Sequence, residues 1–221
     1  YAYNFELGIT KYFEQPKNYI SVRGFSTIIS RHIGRNQYSI FADTTTSDEF
    51  TIIYNNEEVE TFANNNLGDR YLLGASIDGY LSILEPLSLR GNLSIIDAAE
   101  SKKYGPLPSI SPAFGRVFLL YQKTKWLTHL AFQFSAKKKV SDYSLGGEDG
   151  LEETPLISET PERYAGTPAW SEVSFLSQYR LKENTLIRIA LDNIFDIHYR
   201  EFASGISAPG RNLKIGLNYS F

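Results

Sequence analysis

Arg211 to Phe221 reads RNLKIGLNYSF. Leu213, Ile215, Leu217, Tyr219 and Phe221 are apolar, Asn212, Lys214, Asn218 and Ser220 are polar, and Gly216 completes the second set. Successive side chains of a strand point to opposite faces, so this segment carries one greasy face and one wet face. A strand of a soluble sandwich also alternates but ordinarily stops after about five or six residues. Here the alternation persists for about ten, the length a tilted strand needs to cross a bilayer.

The same pattern recurs upstream. In Pro168 to Leu181, Val173, Phe175 and Tyr179 alternate with Glu172, Ser174, Gln178 and Arg180. In Trp126 to Ala136, Trp126, Leu130, Phe132 and Phe134 alternate with His129, Gln133 and Ser135. Leu87 to Ile95, Leu73 to Leu81 and Ile187 to Asp192 behave alike, and Asn4 to Phe13, Tyr19 to Arg31 and Ser111 to Lys123 do so less regularly. The expectation is an all-β chain of about nine long strands and no helix.

The connections separate a sandwich from a membrane barrel. Four are short and polar: Glu14 to Lys17, Glu85-Pro86, Lys123 to Lys125 and Lys182 to Asn184. Between them lie long ones, at Ile33 to Glu58, Ala99 to Ile110, Val140 to Thr167 and Ile197 to Gly210. A transmembrane barrel alternates short periplasmic turns with long outer loops, whereas a sandwich has no reason to sort loops by end. Nine antiparallel strands closed on themselves would place a parallel pair at the seam, and bacterial single-chain barrels have even strand numbers. The segment is therefore expected to be part of a larger wall, unless Ile33 to Glu58 hides a further strand. In that loop Gln37 to Phe41 and Phe50 to Tyr54 could instead form a small hairpin above the membrane.

Composition narrows the classes further. Net charge is −3, which gives no support to nucleic-acid binding. With no cysteine there is no disulfide, thiolate metal site or cysteine nucleophile. Methionine is absent even at position 1, and no signal peptide is visible, so the chain is expected to derive from something longer. Apolar runs are far shorter than the roughly 20 residues of a membrane helix, so any crossing must use strands. The 15 Tyr and 14 Phe suit interfacial aromatic girdles.

Leu191-Asp192-Asn193-Ile194-Phe195-Asp196, Tyr199-Arg200, Ser204 to Asn212 with its Pro209-Gly210-Arg211 turn, and terminal Phe221 resemble the C-terminus of TonB-dependent outer-membrane receptors. Asn4-Phe5-Glu6-Leu7-Gly8, the proline-rich Pro106 to Pro112 and Gly166-Thr167-Pro168-Ala169-Trp170 are similar to further elements of that family, in matching order along nearly the whole chain. The resemblance implies a plugged barrel of about 22 strands importing scarce nutrients such as siderophores, cobalamin, haem or glycans. Residues 1–221 would then be the C-terminal portion of the barrel, with the plug and its TonB box outside the chain. The expected partners are the remaining barrel and plug, the inner-membrane TonB protein, outer-membrane lipid and lipopolysaccharide, and the barrel-assembly machinery. The expected location is the outer membrane of a Gram-negative bacterium.

Candidate site residues follow from side-chain chemistry. His198, Tyr199, Arg200 and Arg211 surround the last outer loop, where arginine could hold an anionic chelate by paired donors and histidine could ligate haem iron. Loop packing is the competing role. Asn193, Phe195, Asp196, Pro209 and Gly210 are expected to build that loop. Leu213, Ile215, Leu217, Tyr219 and Phe221 carry the family's barrel-assembly signal by resemblance, on a strand that also faces lipid. Glu6, Arg90, Arg116, Glu172, Arg180, Arg188 and Asp192 are expected on a wet interior face. His32, His129 and His198 show no ligand spacing, and the absence of Met weighs against copper handling. Gly146 to Gly150 with Glu152 and Glu153 lacks the EF-hand register and is expected to be an exposed acidic loop. The sequons at Asn92 and Asn218 lie in strands and are discounted.

The reading is thus an energy-coupled importer without a catalytic site or cofactor. A passive channel would lack a plug and conduct steadily. A structural barrel in an envelope complex would recruit partners through loops such as Val140 to Thr167. An enzyme is the least favoured class, since no triad-like arrangement of Ser, His and Asp stands out.

Overall fold

The computed structural model describes residues 1–13, 18–39, 50–99 and 101–221. Among the described residues one antiparallel meander forms the wall. Its nine strands are β1 (Ala2–Tyr12), β2 (Tyr19–Ile29), β7 (Arg70–Leu84), β8 (Leu87–Ala98), β9 (Phe114–Lys123), β10 (Trp126–Ser135), β13 (Trp170–Lys182), β14 (Thr185–Asp192) and β15 (Asn212–Tyr219), hydrogen-bonded in that order. The remaining strands are short and lie in the connections. These are β3 (Ile33–Gln37), β4 (Thr51–Tyr54), β5 (Glu57–Glu60), β6 (Phe62–Asn66), β11 (Leu156–Glu159) and β12 (Glu162–Tyr164). Among the described residues the helical content is two short 3-10 turns, at Val140–Asp142 and Leu151–Glu153.

Cross-strand partners share a face, so register shows how the faces sort. One row reads Leu213, Leu191, Phe175, Leu130, Leu119, Leu89, Leu81, apolar from end to end. A row on the opposite face reads Glu172, Gln133, Arg116, Asn92, Asp78, Ser21, Thr10, polar from end to end. All seven expected interior charges occupy this second face, joined by the Arg23–Asp78 pair at 3.2 Å and the Lys214–Asp192 pair at 2.5 Å. The apolar face ends in aromatic residues at both rims. Tyr121, Trp126, Tyr179 and Tyr219 lie toward the short turns, with Trp126 and Tyr179 rings 4.5 Å apart. Tyr3, Tyr71, Phe132 and Phe134 lie toward the long loops. A greasy band flanked by aromatic girdles is the lipid-facing surface of a membrane barrel.

A single-layer wall has no core of its own, so the buried side chains gather in the long connections. Leu67, Leu107, Tyr143, Thr167 and Asn193 are each 5% exposed or less. Among the described residues, β1 and β15 have no strand on their outer edges.

The nine strands and three of the four short turns fall where the pattern put them. The turn Glu14 to Lys17 lies outside the described residues. The first long connection corrects the sequence reading. It extends to residue 69 rather than Glu58, and Phe50–Tyr54 does not pair with Gln37–Phe41, whose last two residues are outside the described set. Instead Ile33–Gln37 pairs with Phe62–Asn66, and Thr51–Tyr54 pairs with Glu57–Glu60. The cause is local: Asn55 and Asn56 adopt φ of 51° and 67°, and two left-handed residues in succession close a two-residue hairpin onto the segment that immediately follows.

Candidate functional site

The outer loops form the packed, chemically varied part of the chain. The loop after β10 is held by residues from three connections. Lys138, 3% exposed, lies 3.7 Å from the Asp149 carboxylate, which is 2% exposed. The Lys138 ammonium also donates to Ile110 O at 2.5 Å and sits 4.1 Å above the Phe202 ring. Asp149 accepts the Ser109 N–H at 2.7 Å and the Ser144 N–H at 3.4 Å. Burial pushes the Lys138 ammonium below the usual lysine range, and the facing Asp149 opposes that shift. One ion pair therefore joins the connection before β9, the loop before β13 and the final loop. This corrects the sequence reading of an exposed acidic loop: Glu148, Glu152 and Glu153 are exposed, but Asp149 is buried because Lys138 and two amides replace its water.

Gly166 to Trp170 explains itself beside that pair. Gly166 has φ of 72°, and a Cβ there would lie 2.3 Å from Lys138 O, so any larger residue meets both strain and a clash. Thr167 shares a 2.6 Å hydrogen bond with the Tyr143 hydroxyl, which also accepts the Thr167 N–H at 3.0 Å. Burial raises the Tyr143 phenol above its ordinary range and keeps it a neutral donor. The Trp170 ring stacks on Tyr199 at 4.1 Å, docking the final loop on the mouth of the wall.

The final loop is built as its composition suggested. Asn193 donates to Ile197 O at 2.9 Å and to Pro209 O at 3.2 Å, and accepts the Ile197 N–H at 2.9 Å. Asp196 accepts the Arg211 N–H at 2.7 Å. Asn193 also has φ of 47°, which asparagine tolerates far better than alanine. Asn193→Ala is expected to cost the loop about 2–3 kcal/mol. Hydrogen exchange at the Ile197 amide should rise by about ten- to a hundredfold, while exchange in β14 stays unchanged.

At the base of the first long connection, His32 donates its N–H to Gly68 O and accepts from Leu67 through its carbonyl, each bond within 2.8 Å. Burial, reinforced by the Arg70 charge, holds its imidazole below the usual histidine range. Its folded-state pKa is depressed, so its contribution to stability is complete above about pH 6.5 and is lost as pH falls through the folded-state value. Acidification from pH 7.5 to 5 should therefore lower the protection factors of the His32 and Leu67 amides, taken against the intrinsic exchange rate at each pH. His32→Gln should remove that dependence.

Several cavities open among these loops, and two of them border residues singled out in the sequence. One of about 260 Å³ lies between Glu153, Thr154, Pro168, Trp170 and the His198–Ser204 stretch. His198, Tyr199 and Arg200 all line it; Arg211 does not. Arg200 is already engaged, donating to Glu153 O at 2.5 Å and lying 3.3 Å from the Glu153 carboxylate. Tyr199 is stacked, and burial with the neighbouring Glu172 charge raises its phenol. The second cavity, about 420 Å³, sits at the mouth of the wall between Asn92, Phe114, Arg116, Gln133, Trp170 and Phe202. Sequence reasoning missed Lys138, Tyr143 and Phe202, whose only signal is the composition of a long loop richer in aromatic and basic residues than solvation requires. Among the described residues, no three His, Cys, Asp or Glu side chains gather as metal ligands would.

No protein-family model matches the sequence, and no curated protein matches it significantly. Solved structures do. The copper transporter OprC aligns with a TM-score of 0.74 at 15% identity, over 100% of this chain and 32% of that one. The ferric enterobactin receptor PfeA of Pseudomonas aeruginosa gives 0.70 at 18%, over 100% and 31%. The siderophore receptor PirA of Acinetobacter baumannii gives 0.69 at 17%, over 100% and 32%. The chain thus spans about a third of the length of the structures it matches, and its fold is that of part of their barrel wall.

Proposed function

We propose, from a fold that is that of the C-terminal barrel of TonB-dependent receptors, that this chain supplies the C-terminal strands and outer loops of an outer-membrane importer for a scarce nutrient. The observation that carries the reading is the match over the full chain to receptors for copper and siderophores, together with the segregation of one lipid face from one polar face. In a bilayer, unpaired edge amides of β1 and β15 would each cost several kcal/mol, so the remainder of a barrel of about 22 strands closes on them. Its partners are that remaining wall, a plug domain, the TonB protein that pulls on the plug, surrounding lipopolysaccharide and the barrel-assembly machinery. The last of these reads Leu213, Ile215, Leu217, Tyr219 and Phe221.

The substrate class that suits these loops is an organic iron chelate rather than a bare soft metal. The chain holds no Met or Cys to ligate copper, whereas the mouth cavity offers Phe114, Trp170 and Phe202 as flat apolar surfaces beside Arg116. His198, Tyr199 and Arg200 would contribute from the neighbouring cavity, with Arg200 released from Glu153 on binding; Arg211 stays with the loop turn.

The test is uptake by the full-length receptor. Deletion should abolish growth on a limiting chelate, and restoration should require an intact TonB protein. Steady single-channel conductance of the purified receptor without TonB dependence would replace this reading with a passive channel.

A further inference from the structure

The apolar face of the wall is notched. Its cross-strand row Lys11, Ile20, Gly79, Gly91, Val117, Phe132 sets two glycines side by side. Neighbouring strands lie about 4.8 Å apart, so the missing side chains leave a gap two strands wide. An apolar cavity of about 680 Å³ opens there, with Phe13, Ile20, Leu81 and Leu89 around the glycine pair. Elsewhere the chain fills such gaps itself. The Phe134 ring lies over Gly115 on this face, and the Phe25 ring over Gly74 on the other. Over Gly79 and Gly91 no ring lies: the nearest neighbours of an added Cβ would be strand backbone and the Ile20 and Val117 side chains.

A cation stands at the edge of the notch. Lys11 belongs to the same lipid-facing row, and its ammonium lies 5.7 Å from the ring centroid of Phe13, a lining residue. It is the penultimate residue of β1, whereas Gly79 and Gly91 lie well inside β7 and β8. The ammonium is therefore near the polar boundary of the membrane, and the glycine pair is within the hydrocarbon. Among the described residues Lys11 takes part in no ion pair. A charge on a lipid-facing surface calls for an anion at its own depth. Because the short turns face the periplasm, the adjoining leaflet is the periplasmic one, built of phospholipid rather than lipopolysaccharide.

We propose that this notch is a binding site for one glycerophospholipid of the periplasmic leaflet, with an acyl chain over the glycine pair and the headgroup phosphate on Lys11. The two features select the occupant together. A flexible hydrocarbon chain fits an apolar gap that packed side chains leave open, and each methylene buried there adds affinity. A phosphate supplies the acceptor oxygens that the ammonium requires. A protein partner would instead bury about 800 Å² on each side, far more than a notch two glycines wide. The site lies on β1, β2, β7, β8 and β9, all within this chain, and is independent of which nutrient is imported.

The test uses the full-length protein in vesicles that contain a phospholipid with a photoreactive acyl chain. Crosslinks should concentrate in the peptides carrying Ile20 and Gly79 to Gly91, rather than spread over the apolar face of β10 and β13. Gly91→Leu fills the notch and should lower that yield by about tenfold, the factor expected when about two methylenes lose their burial. Lys11→Gln should lower it by about fivefold, the worth of one lysine beside an anionic headgroup. It should leave capture of a diacylglycerol with the same reactive chain unchanged. Heat-modifiable migration on gels reports an intact barrel, and Lys11→Gln carries the test alone if Gly91→Leu does not assemble. Equal yields in the notch peptides and in β10, or a yield insensitive to either substitution, would overturn the proposal. So would a Lys11→Gln protein that captures phospholipid and diacylglycerol equally less well, because no phosphate contact would then exist.

Discussion

Asp149→Asn is expected to release the outer-loop cluster while leaving the wall folded. The substitution leaves the Lys138 ammonium 3% exposed with only the more distant, exposed Asp142 as a counter-charge, and its amide group points donors toward a site already crowded with them. Removing one member of a buried pair typically costs about 3–5 kcal/mol, because the remaining charge stays desolvated. At about 1.4 kcal/mol per factor of ten, local opening should become more frequent by about two to three and a half orders of magnitude. The amides to follow are Ser109, which donates to Asp149, and Lys138, which donates to Thr167 O. Their exchange should accelerate together, and protease should cut within residues 140–166, while β9 and β10 remain protected. Lys138→Met combined with Asp149→Asn should recover part of the loss, since no charge is then buried. If the single variant exchanges like the parent, the pair is incidental and the loops are held by Tyr143, Thr167 and Trp170 alone.

The contrast between wall and loops also explains what could be read from the sequence. Strand alternation is local, repeats every second residue and is imposed by lipid on one side. Leu213 to Phe221 therefore announced its face without reference to any partner. The long connections obey no period. The pairing of Lys138 with Asp149 depends on a path that also brings Ile110, Tyr143 and Phe202 together, and no spacing encodes it. The Asn55-Asn56 turn was legible in principle, since successive asparagines favour a two-residue hairpin, but the apolar Phe50 to Tyr54 drew attention to the wrong partner. The His198–Arg200 stretch was located correctly in the final loop, yet its neighbours Glu153 and Trp170 come from another connection. Interior arginines were assigned to the right face because parity alone decides it. That Phe118, Leu120 and Leu176 share their face with them was hidden, since each strand contributes only one or two such residues.

Leu93→Arg should prove far more damaging than Asn92→Arg, one residue away. Leu93 is near the middle of β8, flanked by Ile77 and Gly115 on the apolar face. A cation placed there meets hydrocarbon, which costs about 2–4 kcal/mol near the bilayer midplane. Asn92 lies at the same depth on the opposite face, between Asp78 and Arg116. Its replacement by arginine gains one carboxylate neighbour and one like charge in a wet setting, so the net change should stay within about 1 kcal/mol. In a soluble sandwich the ranking would be weaker and would respond to detergent little. Urea unfolding of the full-length protein in lipid vesicles gives the comparison directly, and the fraction reaching the outer membrane in cells gives it under assembly conditions. Equal losses at positions 92 and 93 would mean that both faces of β8 meet the same medium. The wall would then not divide lipid from lumen, and the proposed importer function would go with it.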